Sequence, residues 1–248
     1  MVVTEETVAA RQPSKLNSLH RTQRSIEKLR VEMGNRKGAL ERGVDTAEKP
    51  VPDFYSRLDV TLQEYEAEAE QMMAAELPTY PVYDYWLRHV KGIGEGLSAQ
   101  LLSMLLPPIP EKAVSSWYKA GGLAPEVLEN GETHLPRARA GQEGLSYYPW
   151  LRRCLYNVAT SFVRNGGYYR QVYEQEKERF QLQHAGDWQP IRIDRVARWR
   201  TIKLFLSHLW DAWCEVENIP ARRKPWIIEY GGHTTLIERP LWDGKGKI

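Results

Sequence analysis

Cysteine is nearly missing from this chain. Its two residues, Cys154 and Cys214, form no CxxC pair and sit in apolar contexts, so no disulfide framework can be built from them. A reduced, cytoplasmic setting is expected, with both thiols buried as small hydrophobes. No apolar run reaches membrane-spanning length and no signal-peptide pattern opens the sequence, so no membrane partner is expected. Charge of one sign is not in excess either. With 34 Lys and Arg against 32 Asp and Glu the net charge is +2, and any basic surface must be local.

Strand signals are almost absent, and so are the signs of hydrolytic chemistry. His20, His89, His134, His184, His208 and His233 show no ligand spacing, and His208 on an apolar helix reads as a satisfied core residue. Ser146, Ser161 and Ser207 have no base nearby in sequence. Asp211 and Glu215 share a helix face at i, i+4, but no third acid joins them, and pairing with Arg or Lys explains them equally well. No metal, cofactor or catalytic residue is expected.

What the chain does carry is helical periodicity. Its 248 residues, 42% of them hydrophobic, make one large domain or two small ones. A frayed tail is expected over 1–14. From Lys15 to Arg42 apolar residues recur at heptad spacing (Leu19, Ile26, Met33, Leu40, with Leu16 and Leu29 filling in), a thin stripe of the coiled-coil kind. After Gly43 and Pro50-Val51-Pro52 a second stripe runs Leu58, Leu62, Tyr65, Ala69, Met72. The first segment is mostly basic and the second mostly acidic, so antiparallel pairing would set opposite charges together. This predicts a helical hairpin over 15–77 that could join two copies of the chain as a homodimer; a solvated charged hairpin with no ligand is the alternative. A helical domain over 78–217 and an irregular tail over 218–248 follow. The fold is expected to be mostly α.

The domain opens on Val90-Lys91-Gly92-Ile93-Gly94-Glu95-Gly96, set between an aromatic segment, Tyr83 to Val90, and the apolar run Leu97 to Leu106. Two glycines flanking an aliphatic between helices are the sequence form of a helix-hairpin-helix turn. Such a turn can aim backbone N–H groups at an anion from a helix N-terminus, and the nucleic-acid phosphate is the usual one. The amides of Gly92, Gly94, Glu95 and Gly96 would donate and Lys91 would add charge, with the Glu95 carboxylate opposing; a plain αα connection is the alternative. A second basic row includes Arg195 and Arg198, on one helical face by spacing, which could follow a backbone or pair with Asp194. Arg137 with Arg139 and Arg222-Arg223-Lys224 are further clusters. Tyr147, Tyr148, Trp150, Tyr156, Tyr168, Tyr169 and Tyr173 crowd one region; core packing rather than base stacking is the expected use, since most fall at helical spacing beside Leu151, Leu155 and Phe162.

Taken in order, the helical segments, VKGIGEGLSAQLL, WYKAGGLAP, LRRCLYNVATSFVRN, YYRQVYEQEKERF and RWRTIKLFLSHLWDAW resemble the C-terminal part of the DEDD insertion-sequence transposases, over residues 55 to 215 or about two-thirds of the chain. The chain is still more similar to short, free-standing proteins with the same core. The resemblance implies a helix-hairpin-helix domain, binding to DNA (with RNA as the alternative) and an origin in a mobile element. The family's catalytic acids lie in a RuvC-like domain ahead of the coiled coil, where about fifteen residues stand here, and its loop serine has no counterpart in Leu123 to Thr133. Autonomous transposition is therefore not expected. Three functions stay open: a nucleic-acid-binding protein, a recombinase subunit completed in trans, and a helical scaffold without a nucleic-acid ligand.

Overall fold

In the computed structural model, which describes residues 14–42, 52–109, 112–127, 131, 133–136, 144–219 and 236–248, the chain is mostly helical, as its periodicity predicts. No helix among the described residues is long and apolar enough to cross a membrane. The tail up to residue 13, the break at 43–51 and the basic clusters at Arg137, Arg139 and Arg222 to Lys224 lie outside the described residues, as does His233. Residues 13–77 form one compact unit, and residues 78–248 fall in another.

In the first unit, Ser14 starts helix α1 (Lys15–Glu41): its Oγ accepts the Asn17 N–H at 3.1 Å, satisfying one of the first-turn amides. Helix α2 (Pro52–Glu76) runs antiparallel to it, with Lys15 paired to Glu76 and Arg30 Nε 2.7 Å from a Glu66 oxygen. The seam follows the apolar stripes in part: Leu16, Met33, Leu62 and Ala69 are in it, and His20, Gln23 and Met73 take the places of other stripe residues. Leu16, His20, Gln23 and Met33 are buried on α1, and Leu62, Ala69 and Met73 on α2, whereas Tyr65 and Met72 are 55% and 45% exposed. A polar contact occupies the middle of the seam: Gln23 Nε2 donates to Glu66 at 3.5 Å beside the Arg30 pair. Hydrophobic spacing cannot register a seam position held by charge.

In the second unit the aromatic segment splits into α3 (Pro81–Tyr85) and a single 3₁₀ turn (Leu87–His89). The break falls at Trp86, whose φ of −145° leaves the helix so that its indole stacks on Phe205 and Nε1 donates to the Pro240 carbonyl at 3.0 Å. The glycine turn follows, then α4 (Glu95–Met104), a short α5 (Ser115–Ala120) and a two-residue antiparallel ladder, β1 (Glu126–Val127) on β2 (Thr133–His134). Helices α6 (Pro149–Asn165) and α7 (Tyr168–Gln183) meet at Gly166 and Gly167, both at positive φ. The last helix, α8 (Pro190–Val216), begins on a proline, a residue well placed in a first turn.

Helix α8 is the centre of this unit and packs against α3, α5, α6 and α7. Ile202, Phe205, Leu206, Leu209, Ala212 and Trp213 are fully buried on it, and each large side chain so covered contributes about 1.5–3 kcal/mol. Tyr147, Tyr169 and Tyr173 join the core, while Tyr156 is half exposed. Both cysteines are buried, and burial pushes the Cys154 thiol up to about 12, leaving it an inert apolar group. His208 is satisfied inside the core, with Nδ1 2.8 Å from the Tyr169 hydroxyl and Nε2 3.0 Å from the Ile237 carbonyl.

The Lys119-Ala120-Gly121-Gly122 stretch is a packing device. A Cβ on Gly121 would stand 2.6 Å from Leu155 Cδ1, and one on Gly122, at φ +67°, 2.9 Å from the Tyr147 ring. Gly122→Ala is expected to lower stability by about 1–3 kcal/mol through backbone strain and overpacking. Urea denaturation followed by tryptophan fluorescence measures this, and an unshifted midpoint would refute it.

Candidate nucleic-acid interface

The turn between the 3₁₀ element and α4 is anchored by its two aliphatics. Val90 and Ile93 are buried, and the Ile93 N–H donates to the Val90 carbonyl at 3.1 Å. Gly92 lies between them at φ +89° and faces the protein. A Cβ there would meet the Ser161 carbonyl and the Phe162 ring at 3.3 Å, and the Gly92 carbonyl accepts the Ser161 hydroxyl at 2.6 Å. Asn165 Nδ2 donates to that hydroxyl oxygen at 2.9 Å, so α6 clamps the turn through Ser161.

Gly94 and Gly96 face the other way. Gly94 is the N-cap of α4 with φ −93° and ψ 177°, a conformation open to any residue, and as a glycine it has no side chain to cap the helix. A Cβ on Gly94 or Gly96 would touch nothing within 4 Å, and residues 94–96 are exposed. First-turn amides of a helix have no intrahelical acceptor, so those of Glu95 and Gly96 point outward from a bare backbone.

Beside this backbone is a cavity of about 490 Å³ lined by Tyr83, Arg88, His89, Ile93, Gly94, Glu95 and Lys247. Two of its lining groups are cations. Arg88 is half exposed and 2.6 Å from Asp84, and Glu95 sets one carboxylate against them. The segment 236–248 closes the far side. Ile248 exchanges two backbone hydrogen bonds with the turn, donating to the His89 carbonyl at 2.8 Å and accepting the Lys91 N–H at 2.9 Å. The Trp242 ring stacks flat on His89, centroids 3.7 Å apart and planes 9° from parallel. Arg239 ties the same segment to α8 through Asp211, 3.0 Å away, and Glu215. That pairing, rather than a divalent ion, accounts for the two carboxylates.

The structure thus brings Lys91, Gly92, Gly94, Glu95 and Gly96 together on one turn. The exposed Lys91 side chain leaves across Gly167, where a Cβ would meet the Lys91 Cβ at 2.9 Å. The two arginines of α8 are treated differently. Arg195 is exposed, whereas Arg198 is turned in, its Nε 2.8 Å from Asp194 and its guanidinium over the Tyr173 ring. Burial alone would raise the Asp194 carboxyl; the hydrogen bonds from Arg198 and Tyr173 and the Arg198 charge outweigh it and hold the carboxyl below its ordinary range. Arg198 also reaches Thr160 at 3.3 Å, the neighbour of the Ser161 clamp, and so braces α6 where α6 holds the turn. Sequence reasoning missed Arg88, Lys247 and Trp242. Their segments are short or irregular, and the only signal was a basic run with no periodicity.

A scan of the chain against protein-family models finds no match, and a search of curated proteins finds no relative.

Proposed function

We propose that this chain binds nucleic acid, DNA in the first place, by gripping backbone phosphates at the Val90–Gly96 turn, as a non-catalytic protein of the transposase C-terminal-domain type associated with a mobile element or DNA recombination. One observation carries the reading. Gly94 and Gly96 leave the backbone bare where the fold has no use for it: neither is at positive φ, and neither is crowded. Gly94 is an acceptable N-cap, but Gly96, inside the first turn, costs about 1 kcal/mol relative to alanine, so an uncovered backbone there suits a group that approaches from outside. The amides of Glu95 and Gly96 meet a phosphate oxygen, and Arg88, Lys91, Lys247 and the exposed Arg195 supply local positive charge to a chain with little net charge. Contacts of this kind position a backbone without reading its bases. In the same reading a second copy of the chain joins through the N-terminal helices.

An electrophoretic mobility shift across a salt series tests it. Affinity is expected to fall with salt at about 0.9 log units per log unit for each phosphate neutralised. Gly94→Ala with Gly96→Ala, which puts a methyl group in the way of the phosphate, is expected to weaken binding about tenfold, the equivalent of one lost hydrogen bond to a charged group, while the melting temperature holds, the gain at Gly96 offsetting the N-cap loss at Gly94. No binding at low salt to duplex, single strand or RNA would leave only the helical scaffold. Magnesium- or manganese-dependent cleavage would move the reading to a recombinase subunit.

A further inference from the structure

We propose that the second copy of the chain docks on one defined side of the α1–α2 pair, the side carrying Leu19, Ile26 and Leu29 of α1 and Leu58, Tyr65 and Met72 of α2, so that the two pairs stack into a four-helix bundle with each α1 across from the other copy's α2. This rests on the dimer of the preceding reading and is independent of its ligand.

The side follows from helix geometry. Successive residues turn by about 100° around a helix axis. Measured from the buried seam at Leu16, Leu19 to Leu29 lie about 60–140° round α1 in one rotational sense, with Met33, at about 100°, buried where the seam drifts toward that side; measured from Leu62, the three α2 residues lie about 40–80° round in the same sense. The two helices are antiparallel, as the Lys15–Glu76 and Arg30–Glu66 pairs show. Equal rotation about opposed axes carries both sets to the same side of the plane through the two helices. The other side, by the same count, presents Arg24, Lys28 and the half-exposed Val31 of α1 with Gln63 and Glu70 of α2. One side of the pair is therefore mostly apolar and the other mostly polar.

The apolar side is uncovered. Leu29, Tyr65 and Met72 are 42%, 55% and 45% exposed, and Leu19, Ile26 and Leu58 are half-buried at its inner edge. Leu19 and Ile26 are seven residues apart, as are Leu58, Tyr65 and Met72, which is the spacing that keeps a stripe against a neighbouring helix over several turns. The partner is thus helical and lies along the pair.

Charge selects a second copy as that partner. Helix α1 carries seven basic and three acidic residues, and α2 carries seven acidic and one basic. A uniformly basic or uniformly acidic partner helix would satisfy one of the two and repel the other. A second copy related by a two-fold axis satisfies both at once, because α1 then meets the acidic α2 and α2 meets the basic α1 across an isologous interface. The arrangement with α1 on α1 sets like charges together and is disfavoured by the same residues.

Light scattering coupled to size exclusion, on the full chain at about 100 µM and below, tests the proposal. The mass expected is twice 28.7 kDa. Tyr65→Glu with Met72→Glu is expected to give a monomer, raising the dissociation constant at least about a hundredfold with the helical circular dichroism unchanged, since neither side chain lies in the internal seam. Tyr65→Ser with Met72→Gln, which adds no charge, is expected to weaken the dimer in the same direction. Lys28→Glu, on the polar side, is expected to leave it intact. A wild-type monomer at the highest concentration overturns the proposal, and so does a dimer indifferent to both double variants. A monomer that still shifts DNA would sink the dimer and leave the ligand reading standing; a dimer that binds no nucleic acid would do the reverse.

Discussion

Lowering the pH from 7.5 to 4.5 is expected to strip about 2–3 kcal/mol of stability from each of the two units, through one buried histidine apiece. Burial, aided by the Arg24 charge, lowers His20 from 6.5 to about 4 in the α1–α2 pair. Burial likewise lowers His208 to about 4, with Arg239 acting in the same direction and the Ile237 carbonyl and Asp211 opposing. A base whose folded pKa lies below its unfolded value binds more protons when unfolded. Its stabilising contribution is therefore complete above about pH 6.5 and falls away as the pH drops toward 4. Glu70, whose carboxyl burial pushes up, works in the opposite sense and offsets part of the loss in the helix pair. Urea denaturation at the two pH values measures the effect. All nine tryptophans lie at or beyond Trp86, so their fluorescence reports the unit holding His208, and far-UV circular dichroism reports both units. His208→Gln should flatten the fluorescence-detected dependence, and His20→Leu the remainder. Equal stability at pH 7.5 and 4.5 would refute the assignment.

Gly92→Ala is expected to cost about 2–4 kcal/mol, a sum of left-handed backbone strain and the approach to the Ser161 carbonyl. The obstacle is helix backbone rather than a flexible side chain, so it cannot swing aside. Because the Gly92 carbonyl also holds the Ser161 hydroxyl, the substitution should loosen the turn itself and weaken any ligand held by its amides. The contrast with Gly94 and Gly96 is the informative part. Three glycines within five residues divide into one that faces the core and two that face outward. Thermal denaturation of the Gly92 variant beside the Gly94 and Gly96 variants separates them. Equal melting temperatures for all three would remove that division of labour.

The helical class was readable from the sequence because apolar period and helix punctuation agree along most of the chain. The buried cysteines were readable from their apolar neighbours. Other features depend on partners far away in sequence. The seam of the helix pair turns on Gln23 and Arg30 meeting Glu66, a contact across more than thirty residues that hydrophobic spacing does not encode. Arg195 and Arg198 look alike on a helical wheel, and only Thr160, Tyr173 and Asp194 decide that one is turned in and the other left outside. At the turn, the sequence shows three glycines without showing which of them the core requires. The closing segment 236–248 has neither period nor motif; its place depends on backbone bonds and one aromatic stack.

That closing segment also bears on the order of assembly. The amide of Lys91 finds its acceptor in residue 248, and the carbonyl of His89 finds its donor there, so the two bonds join points far apart along the chain. A nascent polypeptide can fold α4, α6 and α8 around the turn well before these bonds are available, and contacts of such long range form late in folding. During synthesis the turn therefore passes through a stage in which its backbone is shaped but not yet tied.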